Sequence, residues 1–222
     1  MKTELEDKEK VRKHLKLMDA CQNNIKISDK NLKDKFEKFE DSVLHESKTL
    51  LYETDVNFKF YKRFSRGSIV RVKFGVNIGS EFSGDHFAIV VSKGDTMMNS
   101  SLHVIPITSK NHTKNIEIGN ILYNEEELLK LNNIVVKIKN KYDNNLIDKK
   151  DKDKIKKIER VIRYYEARKG IMSYACIDHI KTISKLSVKK IMFKDYDYLP
   201  NLKLTEEQLK EIDKAIIKEY TV

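Results

Sequence analysis

Cysteine, proline and glycine are scarce in this chain, which holds two, two and seven of them among 222 residues. Cys21 and Cys176 lie far apart, and neither belongs to a Cys-x-x-Cys or Cys/His ligand pattern. This spacing argues against both a disulfide framework and a zinc site. No apolar run reaches the length of a signal peptide or a membrane span, so the expectation is a cytoplasmic protein with no membrane association. Acidic residues never gather at metal-binding spacing, so no metal or cofactor is expected and two-metal hydrolysis is disfavoured. Glycine and proline are almost absent from residues 1 to about 62, a stretch charged throughout.

Positive charge is what the chain has in excess. Lys and Arg outnumber Asp and Glu by 44 to 34, a formal charge of +10. Between Lys137 and Lys169 there are 13 basic and 6 acidic residues, so 13 − 6 = 7 of that surplus falls in one short stretch. Such a cluster suits a polyanion or an acidic protein partner. Two readings of it stay open: a solvated helix face, or an electrostatic track for RNA phosphates in which Arg160 and Arg163, close to Tyr164 and Tyr165, take part.

The most structured signal lies between Arg66 and Ser109. Ile69, Arg71 and Lys73 alternate with Val70, Val72 and Phe74, the period of a half-buried strand, while Phe87 to Val91 is an apolar run of the kind buried on both faces. Gly75, Gly79 and Gly84 supply the permissive backbone of a long exposed loop between them. Val104 to Ser109 reads as a further strand.

Three helical regions flank these strands. Leu32, Phe36, Phe39, Val43 and Leu50 recur at near-heptad spacing, which predicts an N-terminal helix with one apolar face and Ser28 or Asp29 as its N-cap. That face either docks on its own domain or binds a partner. Leu128, Leu131, Val135, Ile138 and Tyr142 form one apolar stripe, and Ile155, Ile158, Ile162 and Tyr165 form another. Asp143-Asn144-Asn145 separates them, which predicts an antiparallel helical hairpin. At the C-terminal end Thr205 and Gln208 have capping-box spacing ahead of a stripe of Leu209, Ile212 and Ile216.

Set in order, several of these segments resemble the MazF/PemK family of toxin endoribonucleases. Arg66-Gly67-Ser68-Ile69 is similar to the family's opening Arg-Gly strand, Gly79-Ser80-Glu81 to its loop, and Pro106-Ile107-Thr108-Ser109 to the strand bearing its catalytic threonine. Cys176 to Ile183 resembles the family's Gln-Ile-Arg-Thr strand, and Leu204 to Ile216 its last helix. The family's Gly-x-Arg-Pro turn is represented by Gly84-Asp85-His86-Phe87, so His86 stands where the catalytic arginine is expected. The resemblance implies an α+β protein built on an SH3-like, partly open β-barrel with a C-terminal helix. Residues 1–62 would be a helical extension, and 63–222 a barrel domain interrupted by the hairpin insert at about 122–169.

It further implies the toxin of a type II toxin–antitoxin pair, a homodimer that cleaves single-stranded RNA and is restrained by an acidic antitoxin. Metal-independent cleavage by the 2′-hydroxyl, leaving a 2′,3′-cyclic phosphate and a 5′-hydroxyl, needs a base, an acid and donors to the phosphate. Histidine suits proton transfer because its ordinary pKa of about 6.5 lies near working pH. His86 and Thr108 are therefore the candidate catalytic pair. Arg66, Arg71, Ser80, Ser109, His179, Lys181, Arg160 and Arg163 are the candidate RNA contacts. An arginine clamps phosphate with two donors where a neutral histidine offers one. The rival readings are thus a binding module that has lost cleavage and a gyrase-directed toxin of the same superfamily.

Overall fold

The structure, a computed structural model, describes residues 2–26, 33–54, 60–142, 147–190, 193 and 195–221. Ser28, Asp29 and Leu32, and the Asp143-Asn144-Asn145 break, lie outside them. The protein is α+β, and its chain divides into two compact units: residues 1–58 with 73–85, and residues 59–72 with 86–222.

The first unit is helical. Helix α1 spans Lys2–Ile25, a single turn α2 spans Lys33–Phe36, and α3 spans Phe39–Thr54. The expected apolar face differs from what forms. A turn at Glu37 and Lys38 separates Phe36 from Phe39, and their rings meet at 6.4 Å. Val43 and Leu50 stay exposed, at 39% and 63%, while Ser42 is buried. The glycine-bearing loop belongs to this unit as well. Gly75 and Gly84 close it through Phe74 N–H to Gly84 O at 2.8 Å and Gly84 N–H to Gly75 O at 2.6 Å. Gly75 is in the left-handed region at φ 76°. A Cβ there would sit 2.5 Å from Glu46 Oε1, the far end of a flexible side chain, so it is the backbone conformation that demands glycine.

The second unit is built on a six-stranded antiparallel sheet: β1 (Ile69–Lys73, whose last residue falls in the first unit), β2 (Asp85–Val90, whose first residue does), β3 (Ser101–Thr108), β4 (Asn115–Gly119), β5 (Ser173–Cys176) and β6 (Lys181–Ser184). Its order is β1-β2-β3-β5-β4, with β6 also on β3. The long strand β3 changes partners along its length, pairing with β6 over residues 101–104 and with β5 at Ile107 and Thr108. Between β5 and β6 a 3-10 turn at Ile177–His179 interrupts the strand. This turn is why Ile177 and Ile180 break the alternation expected of an unbroken strand.

Helices α4 (Glu125–Asn140) and α5 (Lys149–Glu166) form the hairpin between β4 and β5, capped by Asn124 and Asp148. Both stripes are buried as the spacing requires, Tyr142 only in part. They share one core with Ile69, Ile89, Ile105 and Ile107 of the sheet. The insert is therefore the second layer of the domain, and its lysines are the solvent side of a packed hairpin. Tyr165, 1% exposed, donates its hydroxyl to Asp197 Oδ1 at 2.5 Å. Burial first, then the Asp197 contact, pushes that hydroxyl far above the ordinary tyrosine range.

Helix α6 (Glu206–Tyr220) carries the full capping box between Thr205 and Gln208. Leu209 and Ile212 join the core, with Ile216 partly buried against it. Arg66 fastens this helix to the sheet, donating to Val91 O and pairing with Asp213.

A second set of buried residues, among them Val90, Leu102, Val104 and Ile183, lies on the sheet face opposite Ile89 and Ile105. Beside it the Asp95 and Lys185 side chains, 1% and 2% exposed, form an ion pair at 2.7 Å. Asp95 also accepts the Phe64 N–H at 2.8 Å, and Lys185 donates to Thr96 O at 2.8 Å. Burial alone would push the Asp95 carboxyl up. The Lys185 hydrogen bond, the Phe64 N–H and the Lys185 charge together outweigh it and hold the group below its ordinary value.

Candidate active site

Strand register decides which polar side chains share a surface. Ile107 faces Ala175, and Ala175 faces Ile116, a row of apolar residues turned into the core. One residue further along, Thr108 pairs with Tyr174 and Tyr174 with Glu117. Successive residues of a strand point to opposite faces, so this second row is turned away from the hairpin. On the other side of β3 the register runs Val90 to Val104, Ile89 to Ile105 and Ala88 to Pro106. The pairs end at Ala88 and Pro106; His86 and Thr108 each lie two residues further along their strands, on that same face.

A polar row of Thr108, Tyr174 and Glu117 therefore crosses β3, β5 and β4, with His86 on the same face of β2. His86, Thr108 and Tyr174 are half-buried and Glu117 is exposed. Thr108 Oγ1 accepts the Lys110 N–H at 3.1 Å. That contact uses an acceptor lone pair and leaves the hydroxyl proton to be donated. Tyr174 and Glu117 carry no motif. The signal for them was the alternation Ile116-Glu117-Ile118 and Ser173-Tyr174-Ala175, which becomes informative only once the pairing is known.

The remaining candidates are distributed elsewhere. Lys181 opens β6 opposite Val104 and is exposed; the register gives it the face of Thr108. Ser109 is exposed in the turn after β3. His179 ends the 3-10 turn with Nε2 3.8 Å from Asp178 Oδ1. Arg71 shares the hairpin face with Ile69, its guanidinium 5.6 Å from the centre of the Tyr164 ring. Arg168 stacks on the same ring at 3.8 Å. Arg160 and Arg163 are exposed on α5, with Arg160 over Phe193 at 5.8 Å. The hairpin covers the Ile107 face, so these arginines belong to the layer across the sheet from Thr108. Arg66 is committed to Val91 and Asp213.

Ser80 lies in the first unit, exposed beside a hollow of about 210 Å³ that Lys35 and Lys38 also line. The loop around it is ordered chiefly by Asn77. Its Nδ2 donates to Phe74 O at 2.8 Å and Phe82 O at 2.6 Å, and its N–H donates to Ser83 Oγ at 3.0 Å.

Comparison with known proteins bears on this arrangement. Residues 65–165 match the family described as PemK-like, MazF-like toxin of type II toxin-antitoxin system. Over that segment the chain is similar to PemK/MazF-like toxins. Among solved structures, MazF (Form-I) from Deinococcus radiodurans aligns with 11% identity over 72% of this chain and 99% of that one, at a TM-score of 0.38. No curated protein sequence matches the chain. Among the described residues no helix is long and apolar enough to cross a membrane.

Proposed function

We propose that the second unit is a metal-independent endoribonuclease, the cytoplasmic toxin of a type II toxin–antitoxin pair, whose sheet curls into the partly open SH3-like barrel of its family. What supports this reading is that strand alternation puts His86 and Thr108, each two residues beyond the Ala88–Pro106 pair, on the sheet face turned away from the hairpin. His86 Nδ1 or Nε2 takes the proton of the substrate 2′-hydroxyl. The 2′-oxygen then attacks phosphorus, and the bond to the 5′-oxygen breaks. The Thr108 hydroxyl donates to a non-bridging phosphate oxygen. Tyr174, next in the row, supplies a second donor or the proton for the departing 5′-oxygen. The products are a 2′,3′-cyclic phosphate and a 5′-hydroxyl. Lys181 and Ser109 contribute RNA contacts, and a basic protein of this kind suits an acidic antitoxin. A homodimer is proposed on the family resemblance alone.

Cleavage of a long single-stranded RNA in excess EDTA tests the reading. Wild-type protein is expected to cut at defined sites. His86→Ala should lose about a hundred- to ten-thousand-fold in rate, the usual scale of acid–base catalysis. Thr108→Ala and Tyr174→Phe should each lose at least about tenfold. If the folded wild type binds RNA and leaves it whole, the nuclease reading fails. The histidine in place of arginine then marks a binding module that has given up cleavage.

A further inference from the structure

A cavity of about 720 Å³ in the second unit lies along the outer edge of β1 and shares no residue with the polar row. Its walls are pinned. The segments on either side pair with the two ends of β1, through Val72 and Val188 and through Ser68 and Lys203. Lys189 N–H donates to Arg71 O at 2.8 Å, and Ile69 N–H donates to Leu202 O at 3.1 Å. The third wall, residues 60–65, is held by Tyr61 N–H to Met97 O at 2.9 Å and by Phe64 N–H to the buried Asp95. Asp95 in turn neutralises Lys185, which reaches the cavity from beneath.

The lining is chemically one-sided. Lys62, Arg63, Lys189, Lys190 and Lys203 all border the cavity, and among the described residues no carboxylate does. Aromatic side chains stand among these cations. Phe60, 70% exposed, lies at the mouth, and the Phe64 ring is 5.2 Å from Lys62 Nζ. Lysines beside a largely exposed aromatic ring answer to a ligand that combines phosphate with a flat ring, since the cations take the charge and the ring takes the stack. The volume exceeds what a bare phosphate needs and falls within the usual range for small-molecule sites.

We propose that this cavity binds a nucleotide, its phosphate on the Lys189 and Lys190 side and its base against Phe60. Both a free nucleotide and one unit of an RNA strand present that chemistry. The site stands apart from cleavage, because a strand held there need not be the bond that is cut.

The test uses the full chain and two probes, 5′-AMP by calorimetry and fluorescein-labelled decauridylate by anisotropy. Wild type should bind the decauridylate. Phe60→Ala should weaken it about tenfold, in line with the loss of one base stack. Lys189→Ser with Lys190→Ser should weaken it at least about tenfold and lower the salt slope of log K by about 1.4, roughly 0.7 for each phosphate no longer neutralised. A control pair on the hairpin, Lys156→Ser with Lys157→Ser, should change binding less than about twofold. Competition by 5′-AMP assigns the site to free nucleotides, and its failure alongside decauridylate binding assigns it to the strand. The proposal is overturned if neither probe binds, or if the hairpin pair costs as much as the cavity pair.

Discussion

The hairpin and the N-terminal helices use similar material to opposite effect. Helices α3 and α5 both space apolar residues among charged ones. Yet Ile158, Val161 and Tyr165 of α5 are at most 1% exposed, whereas Leu44, Leu50 and Leu51 of α3 are 52%, 63% and 65% exposed. Helix α1 is similar to α3, with Val11 and Leu17 at 60% and 62%. The two regions differ in connection. Strands β4 and β5 are adjacent and antiparallel, and both ends of the hairpin are tied to them by short links. A chain that leaves and re-enters the sheet at neighbouring positions must fold back over it, so its stripe finds Ile105, Ile107 and Ile118. Helices α1 to α3 precede the first strand, and no strand pairing fixes both of their ends. A stripe specifies a face; the topology around it decides whether the face is covered.

The largest expected effect tests the buried half of that comparison. Ile158→Asp places an unpaired charge at a position with no solvent access. It should cost more than about 4 kcal/mol, enough to unfold the second unit in urea titrations followed by circular dichroism. If the variant keeps its midpoint, the hairpin is an appendage and not the second layer.

Next comes the buried Asp95 and Lys185 pair, which anchors the segments opposite the hairpin. Asp95→Asn should cost about 3–5 kcal/mol, because Lys185 would remain charged without its partner. The pH dependence has a definite sign. The carboxyl is held below its ordinary value in the folded state. Its contribution is therefore fully present above the unfolded carboxylate pKa of about 3.9 and is lost as pH falls through the lower folded value. Denaturation midpoints taken from pH 6 down to pH 2.5 should fall more steeply in wild type than in Asp95→Asn. Parallel curves would remove the pair from the acid limb.

At the C-terminal end, Thr205→Ala removes the side chain that accepts the Gln208 N–H, and should cost about 1 kcal/mol. Arg66 and the Leu209 stripe hold the rest of α6, so the loss should show in the denaturation midpoint and leave the helical signal unchanged.

These cases mark how far the sequence was legible. Local signals were read correctly where the chain itself completes them: the Thr205 and Gln208 box, the two hairpin stripes, and, within the run Phe87 to Val91, the burial of Ala88 to Val91 on both faces. The PemK/MazF likeness was legible because short motifs keep their order around Pro106-Ile107-Thr108-Ser109. The break between Phe36 and Phe39 was missed because heptad spacing counts residues and does not see the turn at Glu37 and Lys38. Tyr174 and Glu117 were missed for a deeper reason. A polar row across three strands exists only in the register, and the register follows from pairings separated in sequence by the whole hairpin. The cavity on β1 was hidden in the same way, its lysines drawn from three segments that no window spans.

The smallest expected effect closes the comparison from its exposed side. Leu51→Ser alters a side chain that is 65% exposed on α3, and in an isolated protein it should shift stability by no more than about 0.5 kcal/mol. The measurement is the unfolding midpoint at two protein concentrations tenfold apart, with sedimentation velocity alongside. A small, concentration-independent shift means that the α3 stripe is uncovered in solution, and that the contrast with α5 is intrinsic to the chain. A loss above about 1 kcal/mol that grows on dilution, with a matching fall in sedimentation coefficient, means that another copy covers the face. The two helical regions would then obey one rule, the stripe of α5 covered by its own sheet and that of α3 by a neighbour.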